Sequence, residues 1–148
     1  MPIGVRLNAR KPEFSADDGD SLGARLRRRR RALGLGRVDA AVLIGTDEKS
    51  LMWWERDERI PFVSAYPGII AYLGCEPWDE PQSLGETLRA ERHRRGIEIR
   101  KAAALIGVDE GTLRRWERGE WKPTQLTLPA LDTFLGYSTK ARFPSDVR

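Results

Sequence analysis

The sequence is built twice over. Displacing it by 62 residues lays Ser21-Leu22-Gly23 on Ser83-Leu84-Gly85 without a gap. The same offset places Ala40-Ala41 on Ala102-Ala103, Leu43-Ile44-Gly45 on Leu105-Ile106-Gly107 and Trp54-Glu55-Arg56 on Trp116-Glu117-Arg118. Pro61 falls on Pro123, Pro67 on Pro129, and Leu73-Gly74 on Leu135-Gly136. Of 55 aligned positions 23 are identical, more than shared composition yields, so the chain contains an internal duplication. A coiled coil or solenoid needs more copies of a shorter period. Two copies of this length predict two small, like-folded domains, residues 21–75 and 83–137. Each is near the size at which one core is marginal, so packing of one copy on the other would help both. Between them, Glu76-Pro77-Trp78-Asp79-Glu80-Pro81-Gln82 holds three acids and no base, and reads as an acidic, proline-containing linker over 76–82. Residues 1–20 are expected to form an N-terminal arm and residues 138–148 a short basic extension.

Within each copy the signals are helical. In the second, Ser83 followed by Glu86 three residues later forms a capping box. Leu84 and Leu88 lie on one face of the helix that follows, and Gly96 ends it. A second helix is expected at about 99–106, rich in Ala102, Ala103 and Ala104, small enough for another helix to approach closely. Gly107 supplies the turn. Asp109 can cap a third helix in which Leu113 and Trp116, three apart, share the buried face. After Pro123 and a loop comes a last helix with Leu128, Leu131, Phe134 and Leu135 apolar. The first copy repeats the scheme with Gly45, Asp47, Leu51 and Trp54, then Tyr66, Ile69, Tyr72 and Leu73. No stretch alternates with period two long enough for a strand. The expected fold class is all-α.

Charge narrows the function. The formal net charge is +4, a mild basic bias. Residues 21–75 carry 10 Lys and Arg against 6 Asp and Glu, and residues 83–137 carry 10 against 8, so positive charge sits in two blocks. No apolar run approaches the ~18 residues a membrane span needs, and no signal-peptide core follows Met1. A cytoplasmic protein without a membrane partner is expected. Cys75, the single cysteine, offers neither an internal disulfide nor a metal cluster and is expected to be a small buried side chain. There is no glycine-rich phosphate loop, no Cys/His metal spacing and no nucleophile–base pair. Neither an enzyme nor a bound cofactor is expected.

The string Leu84-Gly85 … Leu88-Arg89 … Arg92 … Gly96-Ile97 … Ala102-Ala103 … Ile106-Gly107-Val108 … Thr112-Leu113 … Trp116-Glu117-Arg118-Gly119 … Pro123 … Leu135-Gly136 resembles the Cro/repressor-type (XRE) helix-turn-helix family. The first copy matches at most of the same places. The resemblance implies two tandem small helical bundles of the lambda-repressor-like type, with double-stranded DNA as partner. It also implies structural ion pairs between the first and third helices of each copy, Arg30 with Glu55 and Arg92 with Glu117. Such a pair fixes helix packing more than it adds stability.

In this family the third helix enters the major groove with its N-terminal residues toward the base edges. The base-facing candidates are thus Glu110, Gly111, Arg114 and Arg115 in copy 2, with Glu48 and Lys49 in copy 1. Backbone contacts are expected from Arg100 and Lys101 at the start of the second helix and from Lys122 and Thr124 in the loop. The glutamine common at the start of the second helix is replaced by Arg37 and Ile99. Asp57 stands where copy 2 has Gly119, so the turn after the third helix is expected to differ. Met52 and Trp53 occupy the places of Arg114 and Arg115, and suit a partner interface, a second copy of this chain included. For Trp53 a DNA contact and incidental exposure stay open as well. Trp54 and Trp116 are expected in the cores, and Trp78 and Trp121 as anchors between the copies. In the run Arg27–Arg31, Arg30 belongs to the ion pair and Arg29 falls near the core face. His93 is expected on the ordinary surface.

The leading expectation is a sequence-specific transcriptional regulator whose two copies act as a covalent pseudo-dimer. A connector of this length spans at most ~25 Å, while half-sites on one face of B-DNA lie ~34 Å apart, so helix ends and domain width must supply the rest. The alternative is an interaction module in which copy 1 has lost DNA reading and binds another regulator or the chain itself. RNA binding through the basic helices is a weaker third, since no stacking sheet is recognisable.

Overall fold

The computed structural model describes residues 20–148, so the expected N-terminal arm lies outside them except for Asp20. The chain divides into two compact units between Trp78 and Asp79, inside the 76–82 linker. Unit 1 contains α1 (Leu22–Ala32), α2 (Arg37–Ile44), α3 (Glu48–Glu55) and α4 (Tyr66–Leu73), with a 3-10 turn at Val63–Ala65 before α4. Unit 2 repeats this as α5 (Leu84–Arg95), α6 (Ile99–Ile106), α7 (Glu110–Glu117) and α8 (Leu128–Leu135), then adds α9 (Thr139–Arg142) and a 3-10 turn at Pro144–Asp146. Among the described residues there is no strand. The fold is all-α, with two tandem helical bundles.

Local chemistry sets the helix ends. Ser21 Oγ accepts from the Ala24 N–H at 3.0 Å, and Ser83 Oγ from the Glu86 N–H at 3.2 Å. The Glu86 carboxylate reaches back not to the Ser83 amide of an ordinary capping box but one residue further, to the Gln82 N–H at 2.7 Å. Gly45, Gly74, Gly96, Gly107 and Gly136 close α2, α4, α5, α6 and α8 in the left-handed conformation.

Each unit has its own core. Leu26, Ala40, Ala41, Ile44, Leu51, Trp54, Ile69 and Tyr72 form one cluster; Leu84, Leu88, Ala102, Ala103, Ile106, Leu113, Trp116, Leu128, Leu131 and Phe134 form the other. Ala40, Ala41, Ala102 and Ala103 of the second helices are buried, as close helix approach requires, whereas Ala104 faces solvent. Glycine at the start of the first helix has a reason the sequence did not disclose. A methyl at Gly23 would stand 2.4 Å from the Trp54 carbonyl oxygen, and one at Gly85 2.5 Å from that of Trp116. The first helix therefore lies directly against the C-terminal end of the third in both units.

Three expectations need correcting. The turn after α3 does not differ from its counterpart. Asp57 adopts φ +57 and Gly119 φ +74, and the following amides bond back alike, Glu58 N–H to the Trp53 carbonyl and Glu120 N–H to the Arg115 carbonyl, both at 2.9 Å. Asp57 tolerates the left-handed region because its side chain is engaged: Oδ1 accepts from the Gly23 N–H at 3.0 Å and Oδ2 from Ser21 Oγ at 2.7 Å. Residues 138–148 are not a mere extension, since Phe143 and Val147 pack against the unit 2 core. Asp146 Oδ2 accepts from the Leu84 N–H at 2.9 Å, and Asp132 Oδ1 from the Thr139 N–H at 2.7 Å. Cys75 is exposed, because it follows the C-terminal glycine of α4 where the chain leaves the bundle.

Candidate nucleic-acid interface

The third helix of each unit is held from behind by a bidentate ion pair. Arg30 Nε and Nη2 donate to Glu55 Oε2 and Oε1 at 2.7 and 2.9 Å; Arg92 repeats this on Glu117 at 2.8 and 3.0 Å. Unit 1 adds a second cation, Arg37, whose Nε donates to Glu55 Oε1 at 3.2 Å. Glu55 is 1% exposed. The hydrogen bond to Glu55, outweighing desolvation, raises the Arg30 pKa above its ordinary range. Arg29 donates to the Tyr72 carbonyl at 2.9 Å, tying α1 to α4.

The N-terminus of the third helix is capped by an aspartate in both units. Asp47 Oδ1 accepts from the Ser50 N–H at 2.8 Å, and Asp109 Oδ1 from the Thr112 N–H at 2.9 Å. The Ser50 amide is the main reason the Asp47 carboxyl sits below its usual range; for Asp109 it is the Thr112 hydroxyl. Both caps are therefore anionic at neutral pH, where the helix dipole favours them.

In unit 2, Leu113 and Trp116 face the core and leave α7 with an open side. Glu110 and Arg114 sit four apart on it, as do Gly111 and Arg115. The Glu110 carboxylate lies 3.5 Å from Arg100 Nε and 3.7 Å from Arg114 Nη2, so it joins the first turns of α6 and α7. Arg100 is otherwise open to solvent, its side chain 87% exposed. Lys101, Lys122 and Thr124 are exposed too. Arg115 is exposed, with its guanidinium over the Trp121 ring at 4.4 Å. The loop after α7 is braced from the C-terminal segment: the Arg148 N–H donates to the Pro123 carbonyl at 2.9 Å.

Unit 1 presents different chemistry on the same scaffold. Glu48 and Lys49 are exposed at the start of α3. The counterparts of Arg100, Lys101, Lys122 and Thr124 are Val38, Asp39, Ile60 and Phe62. Val38, Ile60 and Phe62 are 57%, 85% and 82% exposed. Met52 and Trp53, in contrast, are only partly exposed, and Trp53 packs against the unit 1 core. Two cations lie over its ring, Lys49 Nζ at 5.2 Å and the Arg59 guanidinium at 3.5 Å.

Two helices joined through a glycine turn, the second capped and exposed on one side, arise at the same places in both units. A family model described as a helix-turn-helix domain matches residues 21–80 and again residues 83–142. The chain belongs to the helix-turn-helix domain family. No curated protein and no solved structure matches it.

The two helix-turn-helix domains bring the sequence-derived candidates together unevenly. In the second, Glu110 and Gly111 begin α7 beside Arg100 and Lys101 in the first turn of α6, Arg114 and Arg115 follow in the last turn of α7, and Lys122 and Thr124 lie beyond its C-terminal end. In the first, the cationic half of that set is missing. Sequence reasoning missed Arg59 and named Trp121 only as an anchor between the copies, though the signal was present: the 62-residue offset pairs them with each other, just as it pairs Trp53 with Arg115. The Trp78 ring lies 6.0 Å from that of Tyr66, and its indole N–H donates to Glu76. Among the described residues no helix is long and apolar enough to cross a membrane.

Proposed function

We propose that the chain is a sequence-specific, double-stranded DNA-binding transcriptional regulator of the Cro/repressor type, with the second helix-turn-helix domain as its principal reader. One observation carries this reading. The side of α7 turned away from the core presents Glu110, Gly111, Arg114 and Arg115 at the helix N-terminus and along one open face, with exposed cations on the helix before and the loop after. A helix seated in the major groove needs that distribution: donors and acceptors toward base edges, cations toward phosphates. Arg114 and Arg115 suit guanine, and Glu110 can accept from a cytosine amino group.

A second reading is favoured by the exposed Val38, Ile60 and Phe62 of unit 1. Apolar side chains stand where unit 2 has its phosphate-contact candidates, which fits a domain that meets a protein partner or a second copy of the chain. In that case Phe62→Ser changes the oligomeric state or partner binding and leaves DNA affinity intact.

Selection from a randomised double-stranded DNA pool, followed by a salt titration, tests the leading reading. The expected result is a defined motif whose log–log salt slope is about −5 to −7, for ~6–8 phosphate contacts. The length of the motif reports whether one or both domains engage. Arg115→Ala is expected to lose about 1–3 kcal/mol on the selected site and relax one position. Absence of any enriched motif refutes the reading.

A further inference from the structure

The offset that superposes the two units also exchanges an aromatic and a cation. Trp53 on α3 stacks with Arg59 in the loop beyond it, at 3.5 Å; Arg115 on α7 stacks with Trp121 in the loop beyond it, at 4.4 Å. Positions 53 and 115 are equivalent, and so are 59 and 121. Each unit thus holds one indole and one guanidinium on the same pair of positions, with the partners traded. The traded pair spans the left-handed turn at Asp57 or Gly119, one member on the helix before it and the other in the loop after it. What the two copies share here is the stack, not either residue.

Resting on the DNA-binding reading, we infer that Arg59, held on Trp53, is a DNA phosphate contact of unit 1, and that Trp53 is its positioning residue. Unit 1 has lost the other candidates for that work, since Val38, Asp39, Ile60 and Phe62 replace Arg100, Lys101, Lys122 and Thr124. Arg59 is exposed, and its guanidinium is a cation suited to phosphate. A guanidinium 3.5 Å above an indole meets the ring through charge and dispersion and does not use its N–H donors on a hydrogen-bond acceptor there. The stack also restricts the side chain before binding, so less rotamer freedom is lost when a phosphate is met. Lys49, over the same ring at 5.2 Å, adds a second cation at the N-terminal turn of α3. Trp53 thereby acquires a role that neither a bare apolar patch nor a direct base contact describes: it is partly buried below and cationic above.

The test uses the full chain and its selected duplex, with affinity measured across a range of salt. Arg59→Ala is expected to weaken binding uniformly across sequence variants of the site and to make the log–log salt slope shallower by about 0.9. The affinity ratio between 50 and 200 mM salt then falls by about threefold. Trp53→Phe, which keeps a smaller ring in the core contact, is expected to weaken binding less than Arg59→Ala while leaving the slope unchanged. The exchange variant W53R/R59W, which gives unit 1 the arrangement of unit 2, is expected to recover the wild-type slope. Wild-type binding with an unchanged slope in Arg59→Ala overturns the inference and leaves the DNA-binding reading intact. An Arg59→Ala effect confined to one base position overturns the phosphate assignment. An exchange variant no better than Arg59→Ala overturns the equivalence of the two stacks. If the wild-type chain enriches no duplex at all, it is the DNA-binding reading that has failed. Thermal melts of each variant separate loss of folding from loss of contact.

Discussion

Both first helices keep a serine cap, but the carboxylate that adds to it comes from within the repeat in unit 1 and from outside it in unit 2. Asp57, in the turn after α3, accepts from the Gly23 amide and from the Ser21 hydroxyl. The equivalent position in unit 2 is Gly119, which has no side chain to offer. There the carboxylate comes from Asp146, beyond the duplicated segment, and accepts from the Leu84 amide at 2.9 Å. A helix N-terminus leaves amides without intrahelical partners, and the fold needs an acceptor near them more than it needs one from a given place. The left-handed turn follows the same logic. Gly119 adopts it without steric conflict, whereas Asp57 adopts it against a steric preference and is held by its two hydrogen bonds. The scaffold is common to the two units, and the means of stabilising it are not.

The largest expected effect tests the pairs behind the third helix. Glu55→Ala leaves Arg30 and Arg37 without their shared carboxylate; Glu117→Ala strands Arg92 alone. Removing one partner of a buried pair destabilises by about 3 kcal/mol or more, and the loss in unit 1 should be the larger. Urea denaturation of the full chain, followed by tryptophan fluorescence, measures it. Equal losses would mean that Arg37, more exposed than Arg30, adds nothing to the network. Smaller is the effect at the turn. Asp57→Ala removes the acceptor and keeps the strained backbone, at about 1.5 kcal/mol, while Asp57→Gly loses the acceptor but relieves the strain and lies within about 0.5 kcal/mol of wild type. Asp146→Ala should destabilise unit 2 by about 1 kcal/mol, the usual loss of a cap. If Asp146→Ala is neutral, the C-terminal segment is held by Phe143 and Val147 alone and the comparison of caps fails.

These contrasts show what the sequence displayed and what it hid. The duplication, the helical period, the glycine stops and the aspartate caps of α3 and α7 were legible because each is local: one or two residues determine the backbone around them. The ion pairs were legible only through family resemblance, since a spacing of 25 residues has no local signature. Asp146 was invisible, because nothing in a basic extension announces an acceptor for an amide 62 residues earlier. Gly23 and Gly85 were read as matching letters, and their cause, a carbonyl where a methyl would go, exists only in three dimensions. Trp53 illustrates the same limit at the site. Beside Met52 it looked like an apolar patch, but the Arg59 that covers it arrives from a loop whose path depends on the turn at Asp57.

The interface itself offers a smaller test. Glu110 lies between Arg100 and Arg114 and draws both toward itself. Glu110→Gln should raise affinity for DNA of random sequence about two- to threefold, the weight of one exposed charge, while weakening preference for cytosine at one position. Glu48→Gln should do less, since Val38 and Met52 replace the two arginines around the equivalent carboxylate. Equal gains from the two substitutions would show that both carboxylates act through general repulsion of phosphate rather than through those arginines.

The smallest expected effect distinguishes the units by titration. His93 in α5 corresponds to Arg31 in α1. Burial is the first cause of a lowered His93 pKa, helped by the charges of Arg92 and Arg89 and opposed by the Arg89 carbonyl and by Glu117. The folded unit therefore binds a proton at His93 less readily than the unfolded chain does. Its full stability holds above the ordinary histidine value of about 6.5 and declines as pH falls through that value toward the lower folded one. Unit 1 has an arginine, not a histidine, at the same place. Denaturation midpoints taken between pH 7.5 and 5.5 should fall for unit 2, and His93→Gln should flatten the dependence, by a small amount because the group is partly open to solvent. A midpoint that rises on acidification would mean that Glu117, already shared with Arg92, draws His93 into its network as a second cation. Unit 2 would then reproduce with a protonated histidine what unit 1 achieves with Arg37.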